Sequence, residues 1–264
     1  MALRVDTHAH VFVQGLPLIP GTRYVPHADH TPEDYLAQLD ENGIDCGVLV
    51  AFSALGTYAD YTLEALRAHP KRLRGTCIVD PSVGSDTLRA MDAAGMVGIR
   101  FMLLGYAMPD LESPEYTALF RRLAELDWHI HIYADGAQLA HALPILSRSG
   151  LTVVVDHFGH PDPGLGTQSP GFQAALRALD SGRCFIKLSA AFRFPQVDAA
   201  LLAGHLMAEA GTERLLWGSD WPFTRFEQQM SYATTAAQLK AWVPDEGHRQ
   251  EIHRTAARLY RFEE

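Results

Sequence analysis

The chain has 264 residues, of which 47 % are hydrophobic and 20 % charged, with 22 Lys and Arg against 31 Asp and Glu for a net charge of −9. This is the composition of a folded globular protein and excludes a disordered one. The acidic total argues against nucleic acid as a partner, because phosphate binding needs a basic surface.

The length suits one large α/β barrel or two small domains. Three cysteines, Cys46, Cys77 and Cys184, sit in or beside apolar runs. They cannot make a disulfide framework and read as reduced, buried thiols. The first residues, MALRVDTHAH, lack a basic stretch followed by an apolar one, and no apolar run approaches the ~18 residues of a membrane span. A cytoplasmic protein without a membrane partner is expected; the oligomeric state is not readable.

Eight short apolar, β-branched runs follow one another: 3–8 (LRVDTH), 45–52, 73–80, 96–102, 128–133, 151–157, 183–189 and 214–220. Each gap is long enough for the crossover helix that parallel strands require. The helical patterns are explicit. In 31–43, Thr31 is the N-cap, Pro32 takes the first helical position, and Asn42-Gly43 ends the helix. In 113–127, Ser113 and Pro114 repeat the device, and Leu119, Leu123 and Leu126 share a face. Segments 138–150 and 197–211 close on glycine. Two terminal helices are expected over 226–242 and 245–262. Eight strands alternating with helices predict an α/β chain forming one (β/α)8 barrel over 1–264. Two irregular stretches, 11–30 and 158–170, should lie on the face where barrel active sites form.

The putative strand ends carry the chemistry. Strand one ends Asp6-Thr7-His8-Ala9-His10; strand two leads to Ser53; strand four holds Arg100. Strand five is His129-x-His131-x-Tyr133, strand six gives Asp156-His157 with His160 beyond, strand seven is Lys187-x-Ser189 followed by Arg193, and strand eight ends Ser219-Asp220. Residues i and i+2 share a strand face, so His8 and His10 point the same way. In a closed barrel the first and last strands are neighbours, so Asp220 can reach both. Arg100 and Arg193, with Lys187, would make a locally positive cup for an anionic substrate, a carboxylate or a sulfonate. Lys187 is as well explained by snorkelling or by pairing with Asp156. His27 and His30 read as solvated; His129 and His131 share a face with Tyr133, and one of the two is expected as a hydrogen-bonded core histidine. Trp217 should pack, and Trp221 should line the mouth.

The segments DTHAH, VDHFGHPD and LLWGSDWPF, with GTRYVP, VAFSALG, VGIRFM, HIHIYAD and IKLSAAFR in order between them, resemble the amidohydrolase superfamily. Within it the chain resembles the branch of lactone hydrolases that contains 2-pyrone-4,6-dicarboxylate lactonase. The resemblance implies a distorted (β/α)8 barrel that hydrolyses a small anionic lactone. It gives Asp220 the role of general base and His8, His10 and His157 the polarisation of the scissile carbonyl. It gives Tyr24, Ser53, Arg100, Tyr133, His160 and Arg193 the binding of substrate, with His160 standing where that lactonase carries an arginine.

The resemblance leaves the cofactor open: none, or one divalent metal, zinc or manganese, on His8, His10, Asp220 and His157. The superfamily's bridging strand-four lysine is missing, which argues against two metals. A metal-dependent decarboxylase of the same superfamily, or a barrel that binds an anionic metabolite without turnover, are the alternatives.

Overall fold

A computed structural model describes residues 3–262; the outermost residues of the unit expected over 1–264 lie outside them. Each expected strand is present: β1 Val5–Ala9, β2 Cys46–Leu49, β3 Leu73–Cys77, β4 Met96–Met102, β5 His129–Tyr133, β6 Val153–Val155, β7 Cys184–Ser189 and β8 Leu215–Gly218. They pair in parallel in sequence order. Between and after them run α1 Pro32–Glu41, α2 Asp60–Ala68, α3 Ser85–Ala93, α4 Pro114–Glu125, α5 Gly136–Arg148, α6 Pro170–Leu179, α7 Ala199–Ala210, α8 Tyr232–Trp242 and α9 Glu246–Leu259. The chain is therefore a (β/α)8 barrel. The helix starts follow local chemistry. Thr31 Oγ1 accepts from the Asp34 amide at 3.1 Å while the Asp34 carboxylate accepts from the Thr31 amide at 3.0 Å, a reciprocal pairing that satisfies two otherwise orphaned donors. Residues 226–231, expected to be helical, form turns, and α8 starts only at Tyr232 with Ser231 as its cap.

Alternation along the strands sorts the core. The outer faces carry Ile130, Ile132, Val153, Val155, Ile186, Leu188, Leu215 and Trp217, all packed into the large cluster beneath the helices. The lumen starts apolar, with Val48, Val97, Val154, Phe185 and Leu216 meeting Ala256, Ala257, Tyr260 and Phe262 at the C-terminus of the chain. α9 and the residues after it thus plug one end of the barrel. Higher up, the inward positions turn polar: His129, His131 and Tyr133 on β5, Lys187 and Ser189 on β7. His129 and His131 are both core histidines, where only one was expected, with Nε2 atoms 3.1 Å apart and the Tyr260 hydroxyl 3.0 Å from His131 Nε2. The three cysteines are buried and free. Among the described residues no helix is long and apolar enough to cross a membrane.

The barrel closes between β8 and β1. Beyond the strand ends the His10 amide donates to Trp221 O and the Asp220 amide to His8 O, both at 2.8 Å. Below them the fully buried Asp6 carboxylate gathers the Ser219 amide (2.8 Å), the Ser219 hydroxyl (2.6 Å), the Tyr232 hydroxyl (2.9 Å) and the His8 amide (3.1 Å). Burial pushes the Asp6 carboxyl up, and these donors oppose it. The backbones approach so closely that a Cβ on Gly218 would lie 2.6 Å from His8 Cβ.

Two expected outcomes follow from this packing. Gly218→Ala should destabilise the fold by about 1–3 kcal/mol, the usual cost of overpacking, read by urea unfolding. The second concerns His253, whose Nδ1 accepts from the Val5 amide at 3.1 Å. Burial pulls its pKa from 6.5 down to about 4. The unfolded chain therefore takes up a proton first as pH falls, and the stabilisation held at neutral pH drains away between pH 6.5 and 4. Between pH 7 and 4.5 this one residue should account for about 2–3 kcal/mol of lost stability. His253→Asn, which keeps an acceptor and does not titrate, should show a pH slope shallower by that amount. An unchanged slope would refute the assignment.

Candidate active site

Asp220 lies just past β8 with a left-handed backbone (φ 64°) and is 1 % exposed. Its two oxygens have different surroundings. Oδ2 is gripped by Arg193, whose Nε and Nη2 both lie at 2.7 Å. Oδ1 has no hydrogen-bond partner and faces three imidazole Nε2 atoms: His8 at 3.6 Å, His10 at 3.6 Å and His157 at 4.0 Å. His8 Nε2 is likewise buried without a partner. These separations are too long for direct hydrogen bonds and suit a small group held between the atoms. The alternation argument therefore brings the imidazole pair of β1 and the carboxylate after β8 to one point.

Each imidazole is anchored from behind. His10 Nδ1 lies 2.8 Å from Val50 O, His157 Nδ1 2.8 Å from Ser189 Oγ, and His8 Nδ1 3.2 Å from Lys187 Nζ. Burial pulls all three below the ordinary histidine value, His10 to about 3, with the neighbouring cations adding to it. The site is thus built from neutral rings at physiological pH. Burial pushes the Asp220 carboxyl up, opposed by the Arg193 guanidinium.

Lys187 does not snorkel. It is fully buried, 3.1 Å from Asp156 Oδ1 and 3.1 Å from His131 Nδ1. Arg100 joins the same carboxylate through Nε at 3.2 Å and Nη2 at 3.1 Å, and donates from Nη1 to Ala51 O at 2.9 Å. Burial opposes ionisation of Asp156, but Lys187 and Arg100 outweigh it and hold the carboxyl well below its ordinary value. Burial lowers Lys187 to about 8, so that it remains an ammonium at neutral pH. The positive cup expected from the sequence is largely neutralised from within: the cations Lys187, Arg100 and Arg193 face the carboxylates Asp156 and Asp220. Arg100 and Arg193, expected to be free for substrate carboxylates, spend most of their donors on these two residues and on Thr224.

Above this floor opens a cavity of ≈ 500 Å³ whose walls include Arg23, Tyr24, Ser53, Tyr133, His160 and Arg193. The expected substrate residues are thus brought together at its wall, except Arg100, which lies below. The irregular segments 11–30 and 158–170 supply Tyr24 and His160. His160 Nδ1 lies 3.2 Å from the Tyr133 hydroxyl, and burial lowers its pKa, which makes it a neutral hydrogen-bonding group. The Tyr24 hydroxyl donates to Glu227 Oε1 at 2.6 Å, an acidic rim residue that sequence reading passed over. Trp221 does not line the mouth; it stacks on Tyr35 at 5.4 Å and meets His30 edge-on, so His30 too is only partly solvated.

Among the described residues His8, His157 and Asp220 have ligand atoms within 4.8 Å of one another, the spacing of a divalent-ion site. His10, expected among the ligands with His8 and Asp220, does not belong to this set, and His157, expected as a possible fourth, does. The donor chemistry does not fit a resident metal. A metal-bound imidazole gives its second N–H to an acceptor; behind His8 the nearer group is the Lys187 ammonium at 3.2 Å, which only donates, with the acceptor Asp156 Oδ1 farther off at 3.4 Å.

A family model described as amidohydrolase matches residues 5–262. The D-galactarolactone isomerase of Agrobacterium fabrum is 29 % identical over 254 residues, which cover 93 % of this chain and 86 % of that protein. A solved structure from Pseudomonas putida, described as a candidate 2-pyrone-4,6-dicarboxylic acid hydrolase, is 36 % identical, with a TM-score of 0.92 over 100 % of this chain and 99 % of its own. Another so described, from Acinetobacter baumannii with citric acid bound, is 31 % identical, with a TM-score of 0.94 over 98 % and 99 %. With a match that runs from the first residue of β1 to the last residue of the described barrel, the chain belongs to the amidohydrolase family.

Proposed function

We propose that the protein hydrolyses a small anionic lactone, with a water activated by Asp220. The observation that carries the reading is the buried, partnerless Asp220 Oδ1 facing three neutral imidazoles at 3.6–4.0 Å beneath a cavity lined by both polar and apolar side chains. The similar proteins support the substrate class: one is named for a galactarolactone, two for a pyrone dicarboxylic acid, and one of these holds citric acid.

In this reading the carboxylate takes a proton from water as the water oxygen bonds to the acyl carbon. The carbonyl electron pair moves onto the acyl oxygen, where His8 and His157 of the imidazole cluster stabilise the charge. Collapse breaks the bond to the ring oxygen, and Asp220 returns the proton to it. General-base assistance contributes ~10²–10⁴-fold, and a preorganised oxyanion site is often the largest single factor. Arg193 favours the ionised form of Asp220 against its burial and aims it. Ser53, Tyr133, His160, Tyr24 and the remaining Nη1–H of Arg193 bind the substrate's own carboxylate; Arg100 acts from below by holding Asp156. No step requires a metal, which sets this reading apart from a metal-dependent decarboxylase.

The test is a screen of lactones bearing one or two carboxylates, run in ¹⁸O-water with wild type and Asp220→Asn. Ring opening with one ¹⁸O in the new carboxylate is expected. Asp220→Asn should lose roughly 10²–10⁴-fold in kcat with KM little changed. Full activity in that variant, or saturable binding without turnover in the wild type, would overturn the reading. A lactone returned as its ring isomer without ¹⁸O would replace water by a substrate hydroxyl.

A further inference from the structure

We propose that Lys187 is a positioning residue that fixes the proton of His8 on Nε2, so that His8 donates to the acyl oxygen while His10, protonated on its other nitrogen, accepts from the attacking water. The acyl oxygen and the water rest on the lactone-hydrolysis reading; the proton positions do not.

An ammonium has three protons and no lone pair. Around Lys187 Nζ stand three groups: Asp156 Oδ1 at 3.1 Å, His131 Nδ1 at 3.1 Å and His8 Nδ1 at 3.2 Å. The two imidazole nitrogens lie at hydrogen-bond distance, while Asp156 Oδ1 is an ion-pair partner without a hydrogen bond; since an ammonium cannot accept, Nδ1 of His8 presents its lone pair to Nζ. A neutral imidazole carries one proton, which is then on Nε2. That atom is buried, partnerless and 3.6 Å from Asp220 Oδ1. His10 has the opposite polarity. Its Nδ1 lies 2.8 Å from Val50 O, a carbonyl that can only accept, so Nδ1 holds the proton and Nε2 is bare. The two imidazoles of the H-x-H pair, equivalent by strand alternation, differ in role because of what stands behind them. A water between Asp220 Oδ1 and His10 Nε2, themselves 3.6 Å apart, has an acceptor for each of its protons. The N–H of His8 is then left for the oxygen on which charge develops.

The same polarity makes the triad of His8, His157 and Asp220 a poor metal site. An ion would take the Nε2 lone pair and require the proton on Nδ1, against the ammonium. Removing Lys187 reverses this, because Asp156 Oδ1 lies 3.4 Å from His8 Nδ1 and becomes its acceptor.

The test is ¹⁵N NMR of the full chain labelled at histidine, with His8 and His10 assigned through His8→Gln and His10→Gln. Wild type should show His8 protonated on Nε2 and His10 on Nδ1. In Lys187→Met the His8 proton should move to Nδ1, and zinc titrated into that variant should bind roughly tenfold tighter or more than in wild type. A His8 protonated on Nδ1 in wild type, or a His8 signal that keeps its pattern in Lys187→Met, overturns the proposal. These spectra do not depend on turnover. A lactone screen without product refutes the functional reading and leaves the proton assignment standing or falling on the NMR.

Discussion

The geometry of the active site depends on how β8 is seated against β1. Asp220 follows β8 and the His8–His10 pair belongs to β1, so a displacement of about one hydrogen-bond length at this seam would separate base from imidazoles. Two features hold it. The Asp6 carboxylate collects donors from Ser219, Tyr232 and the His8 backbone. Gly218, with no Cβ, lets the two backbones meet. Burying a carboxylate is costly unless its lone pairs are taken, and here both oxygens are engaged. The residues that close the barrel are therefore also those that set the distance between Asp220 and the two imidazoles of β1.

The next layer down is a balance of charge. Lys187, Arg100 and Asp156 are all nearly or wholly buried. Each would be strongly destabilising alone, and together their attraction offsets the desolvation. The arrangement gives geometric definition more than net stability: Asp156 fixes two cations, one of which fixes the ring of His8. Above it, the Arg193–Asp220 pair does the same for the carboxylate. Arginine suits that task because its planar fork restricts the oxygen it grips while leaving the other free.

Most of the fold was legible because period-two apolar runs separated by helix-length gaps allow few topologies. The H-x-H pair and Asp220 were legible for a related reason, since alternation and barrel closure together place three side chains at one spot. What sequence could not supply was partnership. Asp6 reads as one more polar residue in DTHAH until Ser219 and Tyr232, 213 and 226 positions away, are seen to meet it. Arg193 reads as a substrate clamp until its donors are found on Asp220. For Lys187 the sequence leaves snorkelling and pairing with Asp156 open; the structure shows the pairing, and the contact with His8 has no local signature. Trp221 was assigned to the mouth because it adjoins Asp220, and Tyr35 on α1 draws it away. Glu227 falls in a segment read as helical, which hid its position on the rim.

The hydroxyl of Tyr24 and the carboxylate of Glu227 join the loop after β1 to the loop after β8. Partial burial opposes ionisation of Glu227, but the tyrosine proton and backbone hydrogen bonds together outweigh it and keep the carboxyl low, while burial pushes the phenol up. The span therefore ties the aperture together with one bond between surface residues, whereas the floor is tied by many bonds among buried ones. Aperture and floor can change separately in such a scaffold: exchange of either tether residue alters which molecules enter and leaves the reacting atoms where they are, so that selectivity can diversify on an unaltered chemistry.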